Sequence, residues 1–255
     1  MTSPLKTWLE AEGRLLRLRL SRPRANLIDA EMIAALDRIL AEHLDDPHLS
    51  AVLLDAEGPH FSFGASVEEH LPGACAGMLR GLHRVVIRMV DSPVTILVAV
   101  HGHCLGGGLE LGLAGHLMFV APEAALGQPE MTLGVFAPAA SCLLPEAVGP
   151  AHAFDLLISG RSINGAQAAT IGLAFAAESN PERAALDYFE SHLMPKSASS
   201  LRYAVRAARR DFAARVKAKM ADVERLYLDG LMSTRDAVEG LEAFIAKRPA
   251  MWEHR

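Results

Sequence analysis

Residues 101–110 read HGHCLGGGLE and follow directly on the apolar run Thr95 to Val100. An apolar strand, three consecutive glycines and then a helix with a carboxylate in its first turn is an arrangement suited to acid–base chemistry. Gly106, Gly107 and Gly108 leave the backbone bare, so N–H groups can approach a ligand oxygen unobstructed. Glu110 lies three residues beyond Gly107, near one helical turn, and can face the same cavity. A donor for developing negative charge beside a proton carrier is the pairing that an acid–base enzyme needs. The same glycines would also serve close helix–strand packing, and the triplet alone does not separate the two uses.

Two further segments carry related potential. In GQPE, residues 127–130, Gln128-Pro129 imposes an extended approach and sets Glu130 at the mouth of a loop. Alone, Glu130 reads as a surface loop carboxylate. HFSFGAS, residues 60–66, places Gly64-Ala65 after a strand and loop, where small residues can offer a second free backbone N–H. Alone, it is a turn. His101 and His103 flank Gly102 and hint at a metal, but no third ligand lies nearby, so a structural pair and no metal are expected. Cys104 reads as a packing residue.

The elements that must position these groups alternate in type. Leu15 to Leu20 alternates apolar and basic residues and predicts a half-exposed strand, paired with residues 6–10 across Glu12-Gly13. Asp29 is set to cap a helix through Met32, Ile33, Leu36, Ile39 and Leu40. Strands are expected at 51–55, 95–100 and 117–120 and around Leu126, and helices over 78–90 and from the glycine turn to about Gly115. Beyond Pro181 only helical patterns remain, at 181–194, 199–216, 221–232 and 234–246. The expected organisation is an α/β core over residues 1–195 and a helical region over 196–255, the latter suited to subunit association.

Bulk properties narrow the classes. The chain has 255 residues and a net charge of −5, which argues against a general nucleic-acid binder. Arg202, Arg206, Arg209 and Arg210 recur at helical spacing, but such a face is usually solvated or salt-bridged. The N-terminal residues lack the pattern of a secretory signal, and no apolar stretch reaches the ~18 residues of a membrane span. Three cysteines without metal-type spacing fit reduced thiols and a cytoplasmic location.

Taken together and in order, GPHFSFGASVEEH, AVHGHCLGGGLELGLAGH and ALGQPEMTLGVF resemble the enoyl-CoA hydratase/isomerase, or crotonase, family. The resemblance runs from LSRPRAN at residues 20–26 through SGRSINGAQAATIGL at 159–173 to FIAKRPAMWEHR at the end. It implies a crotonase-type spiral of repeated ββα units with a helical C-terminal oligomerisation region, assembled as a trimer or a dimer of trimers. It also implies an acyl-CoA substrate whose coenzyme A is part of the substrate, with no separate cofactor. By position, Ala65 and Gly107 match the two oxyanion-hole N–H donors, and Glu110 and Glu130 match the two catalytic glutamates. Retention of both carboxylates favours hydration. Around them, Ala25, Ser62, Gly64, Ser66, Val67, Gly106, Pro129, Leu133, Phe136 and Pro138 fall in the segments expected to bind the thioester. Arg24 would meet a phosphate or line the entry, or else be a solvated arginine. Lys247 and Trp252 would complete the coenzyme site from a neighbouring subunit, or else form a frayed helix end.

The chain also departs from the family pattern. The GAD-I-K motif becomes Gly64-Ala65-Ser66-Val67-Glu68, the RP-x-x-x-N turn is one residue short, and the glycine-rich stretch after GQPE becomes APAASC at 137–142. Pro138 stands where a glycine N–H would help hold the catalytic water, and proline has none. With the 197–209 and C-terminal segments, these departures resemble a family member that hydrates a cyclic dienoyl-CoA, with a wall at Phe136 to Ala140 shaped for a planar ring. An ordinary short-chain enoyl-CoA hydratase is the alternative. A serine peptidase on the related spiral fold lacks a nucleophile, because residues 106–113 contain no serine.

Overall fold

In the computed structural model, which describes residues 3–255, the strands and helices follow in the order β1 (Leu5–Glu10), β2 (Leu15–Leu20), α1 (Ala30–His43), β3 (Ala51–Ala56), α2 (Cys75–Val90), β4 (Thr95–Val100), β5 (His103–Leu105), α3 (Gly107–Ala114), β6 (Leu117–Val120), β7 (Ala125–Gly127), α4 (Pro138–Ser159), β8 (Ser162–Asn164), α5 (Gly165–Thr170), β9 (Ala176–Ala177), α6 (Pro181–Tyr188), α7 (Ala198–Arg225) and α8 (Arg235–Ile245). The large sheet has the order β1-β2-β3-β4-β6-β9 and a small sheet the order β5-β7-β8. β1 is antiparallel to β2 and the rest of the large sheet is parallel. From β4 onward the chain visits the large sheet, then the small one, then a helix: β4-β5-α3, then β6-β7-α4. This is the ββα spiral that the resemblance implied.

Strands β3 and β4 are buried along their whole length, as parallel strands covered by helices on both faces must be. One face carries the main core with α1, α2 and α3; the other packs Leu15, Leu53, Leu97 and Phe119 against Ala185 and Phe189. The expectation of a half-exposed β2 does not hold. All its residues except the half-buried Arg19 are buried, Arg17 included, because β3 pairs alongside it and Glu182 of α6 reaches over it. The Arg17 guanidinium survives there by bonding to Asp55, Glu10 and Glu182.

Asp29 caps α1 through Met32 N–H at 2.9 Å. α2 begins at Cys75 rather than Met78. α4 went unanticipated: Pro138, Pro145, Gly149 and Pro150 disguise a helix of 22 residues that starts on a proline and kinks at Gly149 (φ 74°). Proline at the first helical position forfeits only an N–H that has no intrahelical partner. The segments read as two helices at 199–216 and 221–232 form one, α7, followed by a π-helical turn at Leu226–Gly230, since residues 217–220 contain no breaker. α7 packs on α2 and α4, and α8 on the 3-10 turn Pro129–Leu133, so the helical region closes over the core. No described helix is long and apolar enough to cross a membrane.

Candidate active site

The three glycines of the opening motif are required for three different reasons. A Cβ on Gly108 would stand 2.6 Å from Ser62 Cβ, so that residue is fixed by packing. A Cβ on Gly107 would stand 3.2 Å from Ala65 N, which places that amide against the start of α3. A Cβ on Gly106 would stand 2.6 Å from Glu130 Oε1, and Gly106 also has φ 50°. Both uses considered for the triplet are therefore present, one residue apart.

Ala65 is held by a short tie between two loops. Ser62 pairs with Cys104 and Ile28 with Ala65 as isolated bridges. Ser62 Oγ donates to Asn26 O (2.8 Å) and accepts from Gly64 N–H (3.0 Å). Asn26 in turn donates to Glu57 O and His60 O, each at 2.9 Å. The RPRAN turn thus works through its asparagine, which fastens the Gly64-Ala65 loop. Gly64, at φ 101° and with no room beside Leu105 O (3.0 Å from its would-be Cβ), turns the chain so that Ala65 N–H faces Gly107. Among the described residues, neither Ala65 N–H nor Gly107 N–H has an acceptor in the protein. Two free amides at a helix N-terminus form a site for an oxygen that gains negative charge.

Glu110 lies on α3, almost wholly buried, and its Oε1 accepts Ala140 N–H at 2.8 Å. Burial pushes its carboxyl up, opposed by the Ala140 amide, the nearby His83 imidazole and the Ala139 amide. The sequence placed Ala140 only in an apolar wall and gave no sign of this hydrogen bond. Its side chain is a methyl group and only its amide contributes, from the third position of α4. The wall at 137–141 is therefore a helix start, and the donor lost at Pro138 is accompanied by one supplied two residues later.

Glu130 sits on the 3-10 turn Pro129–Leu133, closed by Gly134 at φ 72°. Protein surrounds its carboxyl on all sides but the cavity. Burial, with the charge of Glu110 second, pushes it up to about 8. Gln128, fully buried, directs its amide nitrogen at Glu130 Oε2 (3.0 Å) and Oε1 (3.1 Å). This orientation follows from hydrogen bonding, since the alternative faces oxygen toward oxygen. The motif had pointed to Gln128 only as a spacer.

These groups line a cavity of about 400 Å³. Ala65, Gly107, Glu110 and Glu130 all face it, together with Gly64, Val67, Gly106, Pro129, Leu133, Phe136 and Pro138 of the expected binding residues. Leu79 and Leu82 from α2 and Leu241 and Phe244 from α8 complete apolar walls that the motifs did not indicate. The remaining expected contacts lie elsewhere. Arg24 is exposed, and Ala25 carries a backbone bond to Phe63 N. Ser62 spends its hydroxyl on Asn26 and Gly64, and Ser66 donates to Glu68 (3.1 Å). Trp252 packs over Gly134 and Gly240 of its own chain, and Lys247 is exposed.

The arrangement can polarise a carbonyl oxygen with two amides while two carboxylates manage a water molecule, all inside an apolar cavity. Known proteins show what the chain is similar to. The family model described as enoyl-CoA hydratase/isomerase matches residues 10–255. A protein of Thauera aromatica named cyclohexa-1,5-dienecarbonyl-CoA hydratase is 63% identical over 254 residues, covering 100% of this chain and 98% of the relative. A probable enoyl-CoA hydratase of Rhizobium meliloti is 30% identical over 97% of each chain. The crystal structure of an enoyl-CoA hydratase/isomerase from Pseudoalteromonas atlantica superposes with a TM-score of 0.85 at 26% identity, covering 98% of this chain and 99% of that one. By the family model and by full-length similarity, with a fold to match, the chain belongs to the enoyl-CoA hydratase/isomerase family.

Proposed function

We propose that the chain adds water to cyclohexa-1,5-diene-1-carbonyl-CoA, giving 6-hydroxycyclohex-1-ene-1-carbonyl-CoA, within anaerobic benzoyl-CoA degradation. Full-length identity of 63% to the Thauera aromatica relative of that name supports the substrate. The observation that carries the chemistry is the unequal pair of carboxylates facing one cavity beside two free amides. Glu110 keeps an amide donor and an imidazole near it, which favour its charged form. Glu130 is pushed up to about 8 and so holds its proton at neutral pH. Unequal environments divide a carboxylate pair into base and acid.

The steps follow from this division. The thioester oxygen lodges between Ala65 N–H and Gly107 N–H. Glu110 takes a proton from water, and the oxygen attacks the ring carbon β to the thioester. The electron pair moves through the diene into a dienolate stabilised by the two amides, each worth roughly 2.7–4 kcal/mol in the transition state. Glu130 delivers its proton to the far end of the dienolate, across the ring from the new hydroxyl. The proton on Glu110 then returns to Glu130, so one water is consumed and nothing else changes. The reaction needs no cofactor beyond the coenzyme A that the substrate carries. Phe136, Val135 and Leu82 are among the apolar residues that line the cavity and would meet the ring.

The exposed Phe154, Ile158 and Phe175 offer apolar surface for assembly into a trimer or a dimer of trimers. A cytoplasmic setting fits the buried free thiols Cys75, Cys104 and Cys142. The experiment that tests the substrate is hydration of the cyclic dienoyl-CoA against crotonyl-CoA, followed by loss of the diene absorbance. A far higher kcat/KM for the cyclic thioester is expected. Equal or reversed preference would identify a short-chain enoyl-CoA hydratase instead.

A further inference from the structure

Two of the four arginines that recur along α7 meet neither solvent alone nor a carboxylate. Arg202 and Arg209 stand seven residues apart, on one face of the helix. Arg202 donates to Leu44 O (2.9 Å) and to Asp46 O, where α1 ends. Arg209 donates from Nη1 to Gly115 O (2.7 Å) and from Nη2 to Ala114 O (3.3 Å), where α3 ends. This face latches the helical region onto the carbonyl ends of two core helices.

Of those two helices, α3 carries the site. Gly107 N–H opens it and Glu110 stands in its first turn. Its amide end is tied by Gly106 N–H to Gly127 O at 3.0 Å. Its carbonyl end has no cap of its own. The last carbonyls of a helix lack partners within it, and a left-handed glycine commonly supplies them. Gly115 is instead extended (φ −64°, ψ −176°), which leaves Ala114 O and Gly115 O to Arg209. The guanidinium lies 4.5 Å from the centre of the Phe212 ring. No carboxylate pairs with it among the described residues, and burial pushes its ionisation down to about 10, so it is charged at neutral pH. The adjacent His116 accepts Ile96 N–H at Nδ1 (3.0 Å), and burial keeps it neutral. Arg209 is thus the cation at this helix end. A cation there offsets the negative pole of the helix dipole. Eight residues put that pole roughly 12 Å from the amide end. In a weakly screened interior, the positive pole at Gly107 then acts on an oxygen with less opposition.

We propose that Arg209 is a positioning residue for the oxyanion hole: it fixes the carbonyl end of α3 and offsets its negative pole, so that Gly107 N–H at the other end polarises the thioester. This rests on the reading of Ala65 and Gly107 as the donors to the thioester oxygen.

The test is the carbonyl stretch of bound benzoyl-CoA, labelled with 13C at the thioester carbon and read by isotope-edited infrared difference spectroscopy. This probe has a planar ring and no diene to hydrate. In the wild type the band should lie below its position in water. Arg209→Met keeps an apolar stem beside Phe212 and removes the charge and both bonds. Its band should move back toward the position in water. Its kcat for hydration should fall about 5- to 30-fold, with KM changed less than kcat. Arg209→Lys keeps the charge without the fork and should fall between the two. A merely structural arginine would lower Tm and leave the band of the folded variant at the wild-type position, and that result would overturn the proposal. Should Arg209→Met fail to fold, Arg209→Gln, which keeps a donor without the charge, decides by the same band. The band does not depend on turnover. A wild type inactive on the cyclic dienoyl-CoA but with a lowered band would refute the proposed function and leave this inference separately tested. An unshifted wild-type band would overturn the oxyanion-hole reading and this inference together.

Discussion

Gly106 and Glu130 are in contact across the active site: a Cβ on the glycine would come within 2.6 Å of Glu130 Oε1. The backbone that opens α3 and the carboxyl group of the 3-10 turn therefore fix one another. Gly106→Ala would have to adopt φ 50° with a side chain and displace the carboxyl group as well. A shift of about 1 Å at a reacting group costs on the order of 10²-fold. The variant is expected to fold, to bind acyl-CoA with KM changed less than kcat, and to lose kcat by that order. Steady-state kinetics on the cyclic dienoyl-CoA checks this.

The raised ionisation of Glu130 sets the alkaline behaviour. As the acid it must be protonated, so kcat should fall as pH rises through about 8. Stability follows the same direction. The folded state holds the proton more tightly than the unfolded chain, where a glutamate ionises near its ordinary 4.5. The contribution is therefore complete below that value, and it is lost as pH rises through about 8. Glu130→Gln should lower kcat by about 10²–10⁴-fold and flatten the decline of Tm across that window. A pH series of thermal melts on both proteins measures it.

Away from the site, Asp55 holds β2 and β3 together electrostatically. Its buried carboxyl accepts from Arg17 Nη2 (2.6 Å), Arg19 Nε (2.6 Å) and Arg19 Nη2 (2.8 Å). Both guanidinium groups also lie over Trp8, at 4.9 and 5.3 Å from its ring. Asp55→Ala would leave Arg17 buried with less compensation, because Glu10 and Glu182 are only partly buried. Removing one partner of a buried pair costs about 3–5 kcal/mol. A fall in the free energy of unfolding of that size, with kcat/KM unchanged below the transition, is expected from urea titration.

The parts of this site legible in the sequence are those whose side chains carry the signal. Gly106, Gly107 and Glu110 are conspicuous in themselves, glycines and a carboxylate where a strand gives way to a helix, whereas Glu130 and the Gly64-Ala65 turn stand out only through the family resemblance. Ala140 was not legible, because its contribution is a backbone N–H on a helix hidden behind three prolines. His83 was hidden for another reason: it lies on the buried face of α2 between Leu79 and Val86, where periodicity marks only core. Gln128 stood in the motif, but only the fold turns it toward Glu130. Arg17 was read as exposed because an alternating strand looks the same whether its polar residues meet water or carboxylates. In each case the missing information was which elements pack together, which local pattern does not contain.

Tyr227 closes the polar layer behind the site. It is fully buried, meets Phe136 edge-on with ring centroids 5.2 Å apart, and its hydroxyl has no partner in the protein. Burial pushes the phenol well above its usual range, and Cys75, Glu130 and Glu110 add to the effect, so the group stays neutral. An unsatisfied buried hydroxyl costs about 1–3 kcal/mol. Tyr227→Phe removes it with almost no change in shape, and the stability of the free protein should rise by about 1 kcal/mol, or roughly 2–4 °C in Tm for a chain of this size. A fall in Tm instead would show that a buried water already satisfies the hydroxyl in solution. Calorimetry on the unliganded pair of proteins distinguishes the two outcomes.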